Sequence, residues 1–322
     1  MNQRISTFEA LSLAPPPAPL PIAGVSVVMV VYMTGDVLRD SITLVLSDPL
    51  VDEFVIVDNG SPAQVAAELQ ALGRKDSRVR LDQGHGKIGF ARGANLGARV
   101  ASGRSLVFLN PDALLQPGCI QSLMDSARGQ PSPCVVGACV LNPDGSEQRG
   151  GRRGEVTPVT TLMTLSHLAL NIPGLRRFEI HREDEPRPEA ATPVQTISGA
   201  CFYASRRDFE ALDGFDDGFF LHVEDIDFCW RARQMGGSVL FDPRARVVHL
   251  GSTSQTHPLV VEFHKGRGLV RYFIKRANNP WRLALAWGLS PLIMLAAVTR
   301  PALRRLSGRT SSGREAAGAG QG

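Results

Sequence analysis

Val25-Ser-Val-Val-Met-Val-Val-Tyr32 is a nearly unbroken β-branched run. A strand of that composition suits burial on both faces, as in a parallel sheet covered by helices. The chain after it keeps a regular rhythm. The spacing of Val37, Ile42, Leu44 and Val45 predicts a helix over 36–47, and Phe54-Val-Ile-Val57 reads as a second buried strand. A helix with Pro62 in its first turn follows. Arg78–Leu81 counts as a third strand, a helix lies near Gly89–Val100, and Ser105–Leu109 is the fourth strand. Strand–helix alternation of this kind implies right-handed βαβ units and an α/β fold with one Rossmann-like, mostly parallel sheet flanked by helices. Ligands of such sheets bind at the carboxyl ends of the strands.

Polar residues fall at those ends. Tyr32 closes the first strand, Asp58-Asn-Gly-Ser61 follows the second, and Asn110-Pro-Asp112 follows the fourth. One Asp after a strand is more often a turn residue than a ligand, but three such clusters share one rim. Asn110 and Asp112 project to the same side of an extended dipeptide, with Pro111 stiffening the backbone between them. Such a pair suits a hard divalent cation that also binds diphosphate oxygens. Taken alone, the same residues make an ordinary Asn-Pro-Asp turn. Lys87–Gly97 invites a reading as a dinucleotide loop, but Gly89, Gly93 and Gly97 recur every four residues and do not close a strand. That spacing puts three glycines on one helical face for close packing and leaves Arg92 and Asn95 to face the rim.

The densest chemistry lies in Phe215-Asp-Asp-Gly-Phe-Phe-Leu-His-Val-Glu-Asp-Ile-Asp-Phe-Cys-Trp-Arg231. If Glu224 opens a helix, Glu224, Asp225 and Asp227 occupy its first turn, where the helix dipole stabilises anions. The bland alternative is a solvated capping turn. The neighbours Phe219, Phe220, Phe228 and Trp230 argue instead for carboxylates that are partly desolvated, as a general base would be. Asp227 is spaced to pair with Arg231 one turn on.

These motifs together resemble glycosyltransferase family 2, inverting enzymes of the GT-A fold, over about Val25 to Gly251. The resemblance implies Tyr32 and Asp58 at the nucleotide, and Arg92, Asn95 and Asn110 at the donor. Ser198-Gly199-Ala-Cys201 would line the sugar site. Asp112 and His249 would bind Mg2+ or Mn2+, Asp225 would be the catalytic base, and Glu224 its partner. Asn110-Pro-Asp-Ala is a form common among rhamnosyltransferase-like members. Two departures touch the donor side: Lys87 stands where an Asn is usual before the Ile/Leu-Gly-Phe, and Tyr32-Met33 replaces the commoner Tyr-Asn. The implied reaction is sugar transfer from a nucleoside diphosphate sugar, with rhamnose preferred over galactose or glucose, to a cell-surface glycan or lipid-linked precursor. A nucleotide-sugar-binding relative without catalysis would keep Asp58 and need no Asp225.

The remaining segments are less regular. Residues 1–23 carry Pro15, Pro16, Pro17, Pro19 and Pro21 and read as a disordered lead-in; 24–251 reads as the catalytic domain. Between Leu141 and Pro193 only the apolar run Thr160–Ile172 looks helical, and His167 and His181 read as structural or solvated. Ser238–Asp242 and Arg246–His249 read as strands. The five cysteines are odd in number and form no Cys-x-x-Cys pair, which fits buried thiols in a reducing cytoplasm. Net charge is +4, yet from His264 onward eleven Lys/Arg meet a single acid, Glu315. Residues 252–306 read as a basic amphipathic helix, Val261–Arg276, followed by the apolar run Leu283–Val298 between Arg282 and Arg300; 307–322 reads as a disordered tail. The apolar run is short of the ~20 residues a span needs. A buried helical hairpin, an oligomer contact or an interfacial anchor would each suit it, and the flanking charge favours attachment at the inner face of the cell membrane. Nucleic acid is not the expected partner, because the tail lacks base-stacking aromatics among its cations.

Overall fold

The computed structural model describes residues 24–166, 168–251 and 256–318. The Pro-rich segment 1–23 and His167 lie outside them. In chain order the elements are β1 (Val25–Val31), α1 (Val37–Ser47), β2 (Val51–Asp58), α2 (Ala63–Lys75), β3 (Val79–Asp82), α3 (Phe90–Val100), β4 (Ser105–Leu109), β5 (Ala113–Leu115), α4 (Cys119–Ala127) and β6 (Cys134–Leu141). Then come β7 (Arg152–Arg153), α5 (Pro158–Leu165), α6 (Leu168–Asn171), β8 (Thr192–Pro193), β9 (Thr196–Ile197), β10 (Cys201–Ser205) and α7 (Arg206–Ala211). The chain continues with α8 (Glu224–Gln234), β11 (Ser238–His249), α9 (Pro258–Arg276) and α10 (Pro280–Gly318).

One sheet runs in the order β3-β2-β1-β4-β10-β6-β11-β5, with β8 on β11. The pairs among β1 to β4 are parallel, as the alternation requires. Beyond β4 the sheet is mixed: β10 runs antiparallel between β4 and β6, and β11 pairs parallel with β6 and antiparallel with β5 and β8. The long excursion from 141 to 200 returns β10 from the rim, so no crossover helix sets its direction. The two strands expected at 238–242 and 246–249 are one strand, β11, with a register shift between Asp242 and Arg246.

Buried strand faces split the core into two layers, one under α1, α2 and α4 and the other under α3, α7, α8 and α9. Small residues let α3 approach closely. A Cβ on Gly97 would lie 2.5 Å from Val28 Cγ1, and one on Gly93 2.9 Å from Val30 Cγ1. All five cysteines are free and buried.

α10 is not a loose tail. Ala286, Ile293 and Ala297 are buried, and Met294 packs at Gly266 of α9. Its other face exposes Trp281, Trp287, Leu292 and Leu295. Pro280–Thr299 is long and apolar enough to cross a membrane by length and composition alone. The helix runs to Gly318, so the segment 307–322, expected to be disordered, is helical over most of its length.

Candidate active site

Strand ends and one turn of α8 build the site. β11 lies antiparallel to β5 with His249 opposite Ala113, which brings His249 beside Asp112. Their closest atoms, Nε2 and Oδ1, are 3.0 Å apart. Asn110 Nδ2 lies 3.4 Å from the same Nε2. Gln148 decides the tautomer. Its amide nitrogen donates to Asn142 Oδ1 and to the His249 carbonyl, so its Oε1 must face His249 Nδ1, at 2.6 Å. Nδ1 therefore carries the proton. The lone pair of Nε2 is then aimed at a carboxylate oxygen, two acceptors face to face. A cation held there would be shared by both. Carboxylate oxygen, imidazole nitrogen and the amide of Asn110 form a donor set that fits a divalent ion. Among the described residues no group of three His, Cys, Asp or Glu side chains could hold a metal, so other ligands would have to complete the shell.

α8 begins at Glu224 as predicted, and its three acids are buried. Phe228 anchors it from below: its ring packs on Phe215 at 5.0 Å, and Phe215 in turn on Phe108 and Phe202 of the sheet. The three acids have different surroundings. Asp225 Oδ2 accepts from Arg153 at 3.0 Å and from the Gly199 amide at 3.1 Å, while Oδ1 accepts from the Ile226 amide. Glu224 has one carboxyl oxygen with no hydrogen-bond partner. Burial, then the charge of Asp225, pushes its pKa up to about 8. Asp227 pairs with Arg231 at 2.8 Å, as its spacing predicts, and also with Lys275 of α9 at 2.9 Å. It is fully buried and structural.

The segment before α8 is tied to α9. Asp216 bonds Arg271 and Lys275, and Phe220 stacks on His264 with centroids 4.6 Å apart. Two cavities result. The larger, about 570 Å³, is lined by Tyr32, Asn59, Lys87, Asn110, Asp112 and His249 among others, with α9 as one wall. The smaller, about 320 Å³, holds Glu224, Asp225, Arg153, Gly199 and His181. They meet at Phe90, Asn110, Leu221, His222 and His249, which line both.

Of the residues expected at the site, Tyr32, Asn110, Asp112, His249, Gly199, Glu224 and Asp225 converge on these cavities. Asp58 lies just behind the larger one, its Oδ1 accepting from the amides of Gly60 and Ser61, while its neighbour Asn59 lines the wall. Gly199 acts through its amide on Asp225. Arg92 and Asn95 line neither cavity. Arg92 is exposed, and Asn95 uses its amide on Phe215 and Asp217, holding the turn that leads into the acidic segment. The glycine face of α3 packs on the sheet, so these two residues point away from the rim.

Several site residues carry no signal in the sequence that would single them out. Lys87, notable only as a departure from the family pattern, sits 4.2 Å from the Tyr32 ring centroid and bonds its hydroxyl at 3.0 Å. Arg153 belongs to an Arg/Gly-rich stretch without periodicity, and Gln148 is bonded to His249 across 101 residues. His222 stands inside the acidic motif, overshadowed by the stronger signals beside it.

Comparison with known proteins bears on the family and the fold. The sequence model of the family described as "Glycosyl transferase family 2" matches residues 26–212. The chain is 27% identical over 311 residues to an N-acetylglucosaminyl-diphospho-decaprenol L-rhamnosyltransferase of Mycobacterium tuberculosis, covering 87% of this chain and 94% of that protein. It is 28% identical over 188 residues to the low-salt glycan biosynthesis hexosyltransferase Agl10 of Haloferax volcanii, covering 57% of this chain and 54% of that one. In structure it is similar to GalNAc-T7 with UDP, GalNAc and Mn2+, with a TM-score of 0.58 and 16% identity over 81% of this chain and 49% of that chain. It is also similar to the mannosyltransferase PcManGT from Pyrobaculum calidifontis in complex with GDP-Man and Mn2+, with a TM-score of 0.55 and 16% identity over 96% of this chain and 84% of that one. Both structural likenesses bear on the GT-A fold alone.

Proposed function

The chain belongs to glycosyl transferase family 2, and on that premise we propose that it transfers rhamnose, with inversion, from a nucleoside diphosphate sugar to a hydroxyl of a lipid-linked glycan precursor. The 27% identical rhamnosyltransferase supports the family, and its name motivates the choice of sugar and acceptor class. The observation that carries the reading is the meeting of the two cavities. Asp112 stands on one side of the junction and the Glu224–Asp225 pair on the other, with His249 at the junction itself, which is the layout a single displacement needs.

In this reading the nucleotide lies in the larger cavity along Tyr32 and Asn59, with Asp58 shaping the wall behind. Asp112, His249 and Asn110 would hold Mg2+ or Mn2+, which when bound supplies charge neutralisation for the diphosphate. The acceptor hydroxyl enters from the smaller cavity. Its oxygen forms a bond to the anomeric carbon, the bond from that carbon to the phosphate oxygen breaks, and the hydroxyl proton passes to Asp225. Oδ2 is engaged twice by Arg153 and Gly199, so Oδ1, with one backbone donor, is the oxygen left to take the proton. The Arg153 guanidinium pairs with Asp225 and orients it for that role, whereas burial and the Asp225 charge push the Glu224 pKa up to about 8.

The bare face of α10 and the basic residues of 264–309 support attachment to the inner face of the cell membrane, where a lipid-linked acceptor resides. The test is a panel of nucleoside diphosphate sugars with Mn2+, read first as ligand-induced thermal stabilisation and then as transfer to a lipid-linked acceptor. A ligand that binds only the folded state must raise the melting temperature. Failure of every nucleotide sugar to do so would end the reading.

A further inference from the structure

His222 and Val223, the two residues ahead of the acidic pair, have φ of +66° and +76°. That is the left-handed region, unfavourable for any residue with a Cβ and most of all for a β-branched valine. Glycine at either position would be free of the cost, yet neither is glycine. Strain of this kind persists where the surroundings over-determine it, and it clusters at ligand sites.

The turn has a definite geometric result. It sends the Val223 side chain inward, 3% exposed, against Gly268 of α9. It leaves the His222 imidazole at the junction, lining both the cavity of Asp112 and His249 and that of Glu224 and Asp225. The residue is exposed, opening onto the two cavities it lines. Desolvation by the surrounding protein, followed by the charge of Lys265, pushes its pKa down to about 4, which favours the neutral ring. A neutral imidazole offers one donor and one acceptor, the pattern that matches a hydroxyl.

We propose that His222 hydrogen-bonds a hydroxyl of the transferred sugar and thereby selects the donor. The inference rests on the glycosyl-transfer reading. Between a leaving phosphate oxygen held near Asp112 and an acceptor hydroxyl near Asp225, the only atoms that fit are those of the sugar ring. His222 is the side chain with both donor and acceptor capacity that lines that junction from the catalytic loop. It is a positioning residue for the sugar and leaves the nucleotide untouched.

The experiment uses the full chain with a nucleotide sugar that the native protein turns over, and with the matching nucleoside diphosphate alone. His222→Ala removes the ring at the same backbone conformation, and His222→Gly removes it while relieving the strain, so the two variants bracket any folding effect. Both should lose roughly tenfold or more in kcat/KM. Affinity for the bare nucleoside diphosphate should stay within about threefold, because a sugar contact does not touch it. His222→Asn, whose amide offers a donor and an acceptor and which tolerates left-handed backbone, should recover a good part of the loss. His222→Gly should melt no lower than the native chain. The proposal is overturned by kcat/KM within threefold of native in the Ala or Gly variant, by an equal loss of nucleoside diphosphate affinity, or by an Asn variant no better than Ala. A native chain that binds no nucleotide sugar would overturn the glycosyl-transfer reading and this inference with it. Native turnover with an unaffected His222→Ala overturns this inference alone.

Discussion

Replacing Glu224 with Gln should make the protein more stable, increasingly so as pH rises. Glu224 is 6% exposed, one of its oxygens lacks a hydrogen-bond partner, and its neighbour Asp225 is paired with Arg153. Burial and the Asp225 charge raise its pKa from 4.5 to about 8. A folded pKa above the unfolded one means that the folded state binds the proton more tightly. The carboxyl is then best tolerated below pH 4.5, and its cost grows as pH climbs towards 8, where both states become charged. A pKa difference of one between folded and unfolded chain corresponds to about 1.36 kcal/mol, so the full cost is on the order of a few kcal/mol, with about 5 kcal/mol as its ceiling. Gln keeps the shape and never ionises. Urea unfolding of the native chain and Glu224→Gln should give near-equal stability around pH 4.5, a gap that widens through pH 7, and a plateau above about pH 8. A gap that is flat with pH, or that widens in favour of the native chain, would refute the assignment of a neutral Glu224 and with it the division of labour between the two acids.

Two further outcomes follow from the site and its surroundings. Asp112→Ala should remain folded and lose both transfer and its dependence on Mn2+ or Mg2+, because the carboxylate facing His249 is gone; full divalent-dependent turnover in that variant would remove Asp112 from the metal set. Trp287→Glu combined with Leu295→Glu, both on the bare face of α10, should reduce co-flotation with anionic lipid vesicles by about tenfold or more while the melting temperature holds. Unchanged flotation would contradict membrane attachment through that face.

Legibility in the sequence followed the range of the interactions involved. β1 and β2 could be read directly, because a strand buried on both faces must be largely apolar, and Val25–Val31 is apolar but for Ser26. The α8 turn was legible too: acids beside aromatics suit a helix start, where the helix dipole stabilises anions and the rings can pack beneath. The glycine spacing of α3 correctly foretold close packing on Val28 and Val30. The direction of Arg92 and Asn95 did not follow from it, since a motif fixes which residues are near a site and not which face of the helix turns to it. Arg153 and Gln148 act across 72 and 101 residues, and no local periodicity marks such partners. The reversal of β10 was likewise invisible, because its direction is set by the irregular stretch before it. The apolar run 283–298 carried two meanings at once. Its small and branched residues Ala286, Ile293 and Ala297 pack on protein, while Trp287 faces outward.

The central claim is that Asp225 takes the acceptor proton while the nucleotide is held elsewhere. Turnover and donor affinity of Asp225→Asn, measured side by side with the native chain at about pH 7.5, test it most directly. General-base catalysis contributes typically 10²–10⁴-fold, so turnover should fall by about that factor while the donor Kd stays within about threefold. Turnover within tenfold of native, or a milder loss than Glu224→Gln and Asp227→Asn show, would contradict the account and assign the proton to a different carboxylate.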